Sequence, residues 1–334
     1  MNYLSRIYES LKGDFSLNTY KNSLSLSRSI TLENGIEVII YLIRQGWYRQ
    51  VAIILDEEED KISIPNINGI AFEYQEFVSN QDVISCLTMS QSNDDSILFD
   101  IVVDNIIQEL KKLKLKSKKN EAIKNCVIKW RQFFKRDNEI IMSENKQQGL
   151  FSELALLEKI LMKYGPQAVF FWTGCEKEQH DFYIGNNVIE VKSSSKRQPY
   201  QIKISSEYQL DKGDVAGDLL LYSLFVKKSK ADGENICDII YRIEGLLQSE
   251  ISCLNEFKNK LFLVGYLEEV SDFYKYYFRT RDVKIFDVTD DFPCILRKNI
   301  MIGISHVKYS LSIDKCEGFE ISEEAFWDKL GGGN

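Results

Sequence analysis

Asp181-Phe182-Tyr183-Ile184-Gly185-Asn186-Asn187-Val188-Ile189-Glu190-Val191-Lys192 is the stretch that decides the fold. Two β-prone segments flank Gly185-Asn186-Asn187, a loop of hairpin type. The spacing predicts antiparallel strands over 181–184 and 188–192. Side chains alternate along a strand. Ile189 and Val191 therefore point to one side, the core, while Glu190 and Lys192 share the other. Asp181 opens the partner strand near the same end. From these residues alone two readings stay open. One is an exposed edge with an ion pair. The other is two acids and a lysine converging on one face to do chemistry.

The segment upstream bears on that choice. Over 147–164, Leu150, Leu154, Leu157, Leu161 and Tyr164 recur at helical spacing, and Gly165-Pro166 stops the pattern. Counting about 100° per residue, Glu153 sits about 60° from the centre of the apolar stripe. It borders the buried face, from which a carboxylate can look onto a sheet. Downstream, short strands are predicted over 168–172, 201–204 and 219–226. A short helix is predicted after Ser205 or Ser206, carrying Gln209 and Leu210. Residues 143–227 thus read as a compact α/β core.

Around it, 1–105 reads as a β-rich region with strands at 35–43, 48–55 and 97–103. Residues 106–142 read as a basic helical connector, with a cation-rich run from Lys111 to Arg136 that includes Lys116 and Lys119. That run is either a solvated connector or a phosphate-contacting arm. Residues 228–334 read as an α/β extension packing on the core. A helix is expected near 238–253, with strands at 261–267, 283–288 and 300–309.

Carboxylates gathered at one point repel each other unless a cation joins them. Hard oxygen donors suit Mg2+ or Mn2+. Such an ion polarises a phosphate and acidifies its water. A lysine beside it orients that water or stabilises the developing negative charge. The assembly suits phosphodiester hydrolysis.

Asp181, eight intervening positions and then Glu190-Val191-Lys192 with a helical acid upstream resemble the signature of the PD-(D/E)XK nuclease superfamily. The wider context is closer still. Gly149-Leu150-Phe151-Ser152-Glu153-Leu154, His180-Asp181-Phe182, Glu190-Val191-Lys192-Ser193 and Ser205-Ser206-Glu207-Tyr208-Gln209-Leu210 resemble, in order, the bacterial PD-(D/E)XK motif protein family of restriction and phage-defence gene clusters. Trp130, Trp172-Thr173-Gly174, Gly265-Tyr266 and Phe292-Pro293 extend the likeness over roughly 60–310. The resemblance implies a restriction-endonuclease-like α/β (α+β) fold, with a mixed central sheet flanked by helices. It implies Asp181 and Glu190 as metal-binding acids and Lys192 as the catalytic lysine. Glu153 becomes the helical acid that supports the metal, and Val191 a ligand through its backbone carbonyl. His180 stands where the superfamily name has proline. His180 and Gln209 are candidate DNA contacts. Lys196, Arg197 and Lys203, the long cations just beyond the Glu-x-Lys strand, are further candidates. The implied activity is Mg2+-dependent DNA cleavage in a restriction or anti-phage system. The alternative is a nuclease-fold binding or assembly subunit with weak or conditional cleavage. Implied partners are DNA, a methyltransferase and a helicase-like ATPase, and a double-strand cut favours a homodimer.

Composition narrows the remainder. The chain has 334 residues, 42 basic against 50 acidic, and a net charge of -8. That balance argues against a protein coating nucleic acid by charge alone. The seven cysteines show no Cys-x-x-Cys pair, and only His180 and His306 are histidines. Zinc spacings are missing, and a His-based site has little to work with. No 20-residue apolar span and no leader-like start are seen, so a cytoplasmic protein with reduced thiols is expected.

Overall fold

The computed structural model describes residues 3–56, 61–67, 69–79, 82–114, 118–136, 141–176 and 178–331. It divides into two compact units, 1–140 and 141–334.

The first unit opens with helix α1 (Tyr3–Asp14) and holds an antiparallel sheet of β1 (Ser25–Thr31), β2 (Glu37–Ile43), β3 (Tyr48–Ile54), β4 (Ile70–Ser79) and β5 (Asp82–Gln91). The strand order is β1-β2-β3-β5-β4. In β2, Val38, Ile40 and Leu42 are buried while alternate residues face outward, the pattern of a sheet with one covered face. Helices α2 (Ser96–Lys111) and α3 (Lys119–Arg136) follow. The strand expected at 97–103 is therefore helix. A continuous apolar run fits a buried helix as well as a strand. Asp95 settles it by accepting the Leu98 N–H at 2.9 Å as N-cap. Of the basic run, Lys116 lies outside the described residues. Lys119 is buried, donating to the Ile54 carbonyl and pairing with Asp56, so it holds the fold together rather than facing a phosphate.

The second unit begins with α4 (Glu144–Tyr164), whose buried face is Leu150, Leu154, Leu157 and Leu161, as the stripe predicts. Gly165 ends it at a φ of 79°, a conformation that favours glycine. Strands β6 (Phe182–Ile184), β7 (Asn187–Ser194), β8 (Gln201–Ile204) and β9 (Leu219–Ser229) come next. Helices α5 (Ile236–Leu247) and α6 (Ile251–Leu263) lead to β10 (Tyr277–Asp287), β11 (Tyr309–Ser312), β12 (Glu320–Ile321) and α7 (Glu323–Lys329). The main sheet has the order β12-β10-β9-β7-β6. Only β7 and β9 run parallel, which makes it a mixed sheet. β8 and β11 form a separate two-stranded sheet. Leu219 to Val226 are buried on both faces, as expected of a central strand. Val188, Ile202, Leu221, Phe225 and Phe286 share one core cluster, with Tyr200 stacked on Phe225 at 3.8 Å.

Four further expected elements differ, all in the second unit. Residues 168–172 form most of a 3-10 helix that starts at Pro166, with only Trp172 bridging to Phe182. Proline at the first turn presets helical φ. After Ser205 there is a turn, not a helix, with the Ser206 hydroxyl accepting the Tyr208 N–H. The apolar run at 261–267 continues the Cys253, Phe257, Leu261 stripe of α6 and stays helical to Leu263. At 300–309, Met301, Ile302 and Ile304 sit in an exposed loop, and the strand begins only at Tyr309. All seven cysteines are free. Among the described residues, no helix is long and apolar enough to cross a membrane.

Candidate active site

The β6–β7 hairpin forms as its sequence predicts, with Phe182 opposite Ile189. β7 is internal, between β6 and β9. This removes the exposed-edge reading. It also corrects the idea of an open polar face: Ile189 and Glu190 are 0% and 1% exposed. Glu190 is a buried carboxylate, and such a group persists only when paired. Lys192 supplies the pair, its ammonium donating to Glu190 Oε1. Glu190 Oε2 has no hydrogen-bond partner among the described residues.

Asp181 precedes β6. Its Oδ2 accepts the Val191 N–H at 2.7 Å, which ties it to β7. Its Oδ1 faces Gly174, where a Cβ would stand 2.7 Å from that oxygen and 3.2 Å from Glu153 Oε2. Glu153 reaches this space from α4. Trp172 Nε1 donates to its Oε2 at 2.8 Å. The Trp172 carbonyl is held in turn by the buried Lys260 of α6, at 2.5 Å. Asp181, Glu190, Lys192 and Glu153 are thus brought together.

The electrostatics reflect that crowding. Burial pushes the Asp181 carboxyl well above its usual range, and the Glu190 and Glu153 charges add to it. Glu153 is pushed up to about 7 by burial and by Glu190, against the Trp172 hydrogen bond and the Lys192 charge. Burial pulls the Lys192 ammonium down, but Glu190 and Asp181 outweigh it and hold it above the usual lysine range. Lys192 is therefore a fixed cation at neutral pH.

Among the described residues no three His, Cys, Asp or Glu side chains stand ready-made as a metal-ligand set. The carboxylates instead have protein donors on one oxygen each. The residues nonetheless fit a hard divalent cation. Asp181 Oδ1 and Glu190 Oε2 keep free lone pairs, Gly174 leaves the space beside Asp181 clear, and one lysine does not balance three acids.

The remaining expected residues are placed differently. His180 is 2% exposed, so its ring meets the protein interior rather than a nucleic-acid surface. Its Nδ1 lies 3.5 Å from Glu190 Oε2, and its ring stands edge-on to Tyr183. Gln209 folds its Oε1 back on its own turn, accepting the Ser205 N–H at 2.8 Å. Lys196, Arg197 and Lys203 are exposed. Sequence reasoning gave no role to Trp172, Gly174 or Lys260. Trp172-Thr173-Gly174 was a visible signal, since a tryptophan and a glycine before the acid suggest a buried donor and a close approach. Lys260 carried none, because a lysine late in a helix reads as solvated.

Gly174→Ala tests the crowding. A methyl there meets Asp181 Oδ1 and the Asp181 backbone, so overpacking of about 1–3 kcal/mol is expected. Any activity the site supports should fall more than the thermal midpoint suggests. Activity unchanged from wild type would show that the space beside Oδ1 is not used.

No protein of curated function and no solved structure matches the chain. A family model described as "Putative PD-(D/E)XK family member, (DUF4420)" matches residues 5–314, beyond both ends of the stretch that the motifs suggested. With the mixed sheet and its hairpin of acids in place, the chain belongs to this PD-(D/E)XK family.

Proposed function

We propose that the chain is a Mg2+-dependent DNA endonuclease, hydrolysing phosphodiesters within a bacterial restriction or anti-phage system. The observation that carries the reading is the buried gathering of Asp181, Glu190 and Lys192 on one hairpin, facing Glu153 of α4. Desolvating such a group costs stability, and perturbed charges of this kind mark functional sites. The defence setting, and partners such as a methyltransferase or a helicase-like ATPase, are supported by the motif resemblance alone.

PD-(D/E)XK nucleases generally use divalent metals such as Mg2+. Here Asp181 and Glu190 would hold the ion, with Glu153 and the Val191 carbonyl as supporting donors. The chemistry a bound ion supplies is polarisation of the phosphate and acidification of a water. Lys192 stays protonated and stabilises negative charge developing on the phosphate oxygens. The Val191 N–H fixes Asp181 Oδ2 and thereby aims Oδ1. Trp172 fixes Glu153 in the same manner. The hydrogen-bonded frame preorganises the carboxylates before substrate arrives.

One observation favours a second reading: the ligand set is not ready-made, and Glu190 is engaged by Lys192. On that reading the chain is a nuclease-fold binding or assembly subunit that cleaves only when a partner opens the site. Incubating supercoiled plasmid with Mg2+ or Mn2+ separates the two. Wild type should nick it, and Asp181→Ala should not. Intact supercoiled plasmid in every metal overturns the stand-alone enzyme, and intact plasmid after adding the operon partners overturns cleavage altogether.

A further inference from the structure

Beyond the acids, β7 continues into Ser193, Ser194 and Ser195, which wall a cavity of about 390 Å³ within the second unit. Gln148 of α4, Lys196, Gln201, Lys203 and Ser310 line it as well. The volume is in the range of small-ligand sites. We infer that this cavity is a subsite for one nucleotide of the substrate strand, flanking the phosphate that is cut. The assignment rests on the nuclease reading of the neighbouring site.

Three observations carry it. First, the lining has two lysines, many hydroxyls and amides, and no carboxylate, in a chain whose acids outnumber its bases by 50 to 42. Neither Lys196 nor Lys203 has a carboxylate partner among the described residues. An uncompensated cation pair edged by hydroxyls favours a phosphate. Second, Gln148 is 7% exposed and donates through Nε2 to Ser193 Oγ at 3.0 Å, while its Oε1 has no hydrogen-bond partner. A buried unpaired acceptor is costly and seeks a donor. A phosphodiester has none to give, whereas a base N–H or a sugar hydroxyl does. Anion sites and an acceptor together describe a nucleotide rather than a bare phosphodiester link. Third, the cavity adjoins the chemistry. Ser194, two residues after Lys192 and on the same face of β7, lines it, and Gln148 lies five residues before Glu153, about 7.5 Å along the helix axis. Successive nucleotides of one strand rise about 3.4 Å along a duplex axis. A strand with its scissile phosphate at Lys192 therefore reaches the cavity within a few nucleotides.

The test is equilibrium binding of short single-stranded DNA and RNA oligonucleotides in EDTA, by fluorescence anisotropy over a salt series. Lys196→Ala/Lys203→Ala should bind about tenfold more weakly. Its plot of log affinity against log salt should be shallower by about 1.4, or about 0.7 for each lost phosphate contact. Gln148→Leu should weaken binding without changing the slope. Loss on both oligonucleotides assigns its acceptor to a base, and loss on RNA alone assigns it to the 2′-hydroxyl. Lys159→Ala, whose lysine pairs with Glu323, is the control and should bind as wild type. The proposal is overturned if wild type binds neither oligonucleotide. It is equally overturned if the double lysine variant matches wild type in affinity and slope, or if Lys159→Ala weakens binding as much. Cleavage plays no part in this readout. Binding without plasmid nicking refutes the stand-alone enzyme and keeps the cavity as a binding site. Nicking with wild-type binding by the lysine variants refutes the subsite alone.

Discussion

On the proposed function, Lys192→Met should lower plasmid cleavage by about 10²–10³-fold, the usual cost of one donor aimed at developing negative charge. The same substitution destabilises the second unit. Glu190 is 1% exposed and loses its salt-bridge partner. Stripping one member from a buried pair costs about 3–5 kcal/mol. The two effects separate in a double variant. Lys192→Met/Glu190→Gln removes the orphaned charge and should recover most of the stability, while cleavage stays lost. The pH dependence has a defined sign. The folded-state pKa of Asp181 lies above its unfolded value. The folded chain therefore binds protons more tightly than the unfolded one, and stability is lost as pH rises through that folded value. With the neighbouring ammonium gone the shift grows, so the deficit of Lys192→Met should shrink as pH falls. Urea midpoints at several pH values read this directly. A variant with wild-type midpoint and wild-type nicking would remove Lys192 from both roles.

Arg49→Met should have the largest effect in the first unit, about 3–5 kcal/mol. Arg49 on β3 pairs with Asp100 on α2, whose side chain is 3% exposed. Arg49 also donates to the Ser96 carbonyl at 2.9 Å and lies 4.7 Å over the Tyr8 ring of α1. Ser5 adds a 2.6 Å hydrogen bond to Asp100. One guanidinium thus joins α1, β3 and α2. Burial holds Asp100 above the usual carboxylate range even with Ser5 and Arg49 pulling it down. Its cost is therefore present above the folded pKa and relieved as pH falls, and the Arg49→Met deficit should narrow on acidification. Arg49→Met/Asp100→Leu should recover most of the stability, because removing both partners leaves no buried charge unpaired. Hydrogen exchange of β2 and β3 amides reports this unit without assuming one transition for the whole chain. A single variant as protected as wild type would show that the pair contributes nothing.

The legible part of the molecule was local. Gly185-Asn186-Asn187 between two alternating segments specifies a hairpin, so Asp181, Glu190 and Lys192 came together from sequence alone. Leu150, Leu154, Leu157 and Leu161 gave the helix and hence the angular place of Glu153. What failed were short apolar runs, in which strand and buried helix look alike. Residues 97–103 turned on one capping residue, Asp95, and 168–172 on Pro166. Burial on both faces of β7 was illegible because it depends on β9, about 30 residues away, and on α4. His180 illustrates the limit. Its chain position beside Asp181 suggested a surface contact, while its packing turns the ring toward Glu190.

β7 carries Glu190 and Lys192 on one stretch and the wall of the cavity on the next, with no loop between them. Its side-chain period is two, so a single inserted or deleted residue would turn every downstream group to the opposite face. The strand is in effect a ruler with fixed graduations: over evolutionary time its length can drift only in even steps, or the acid, the lysine and the serines cease to belong to one machine.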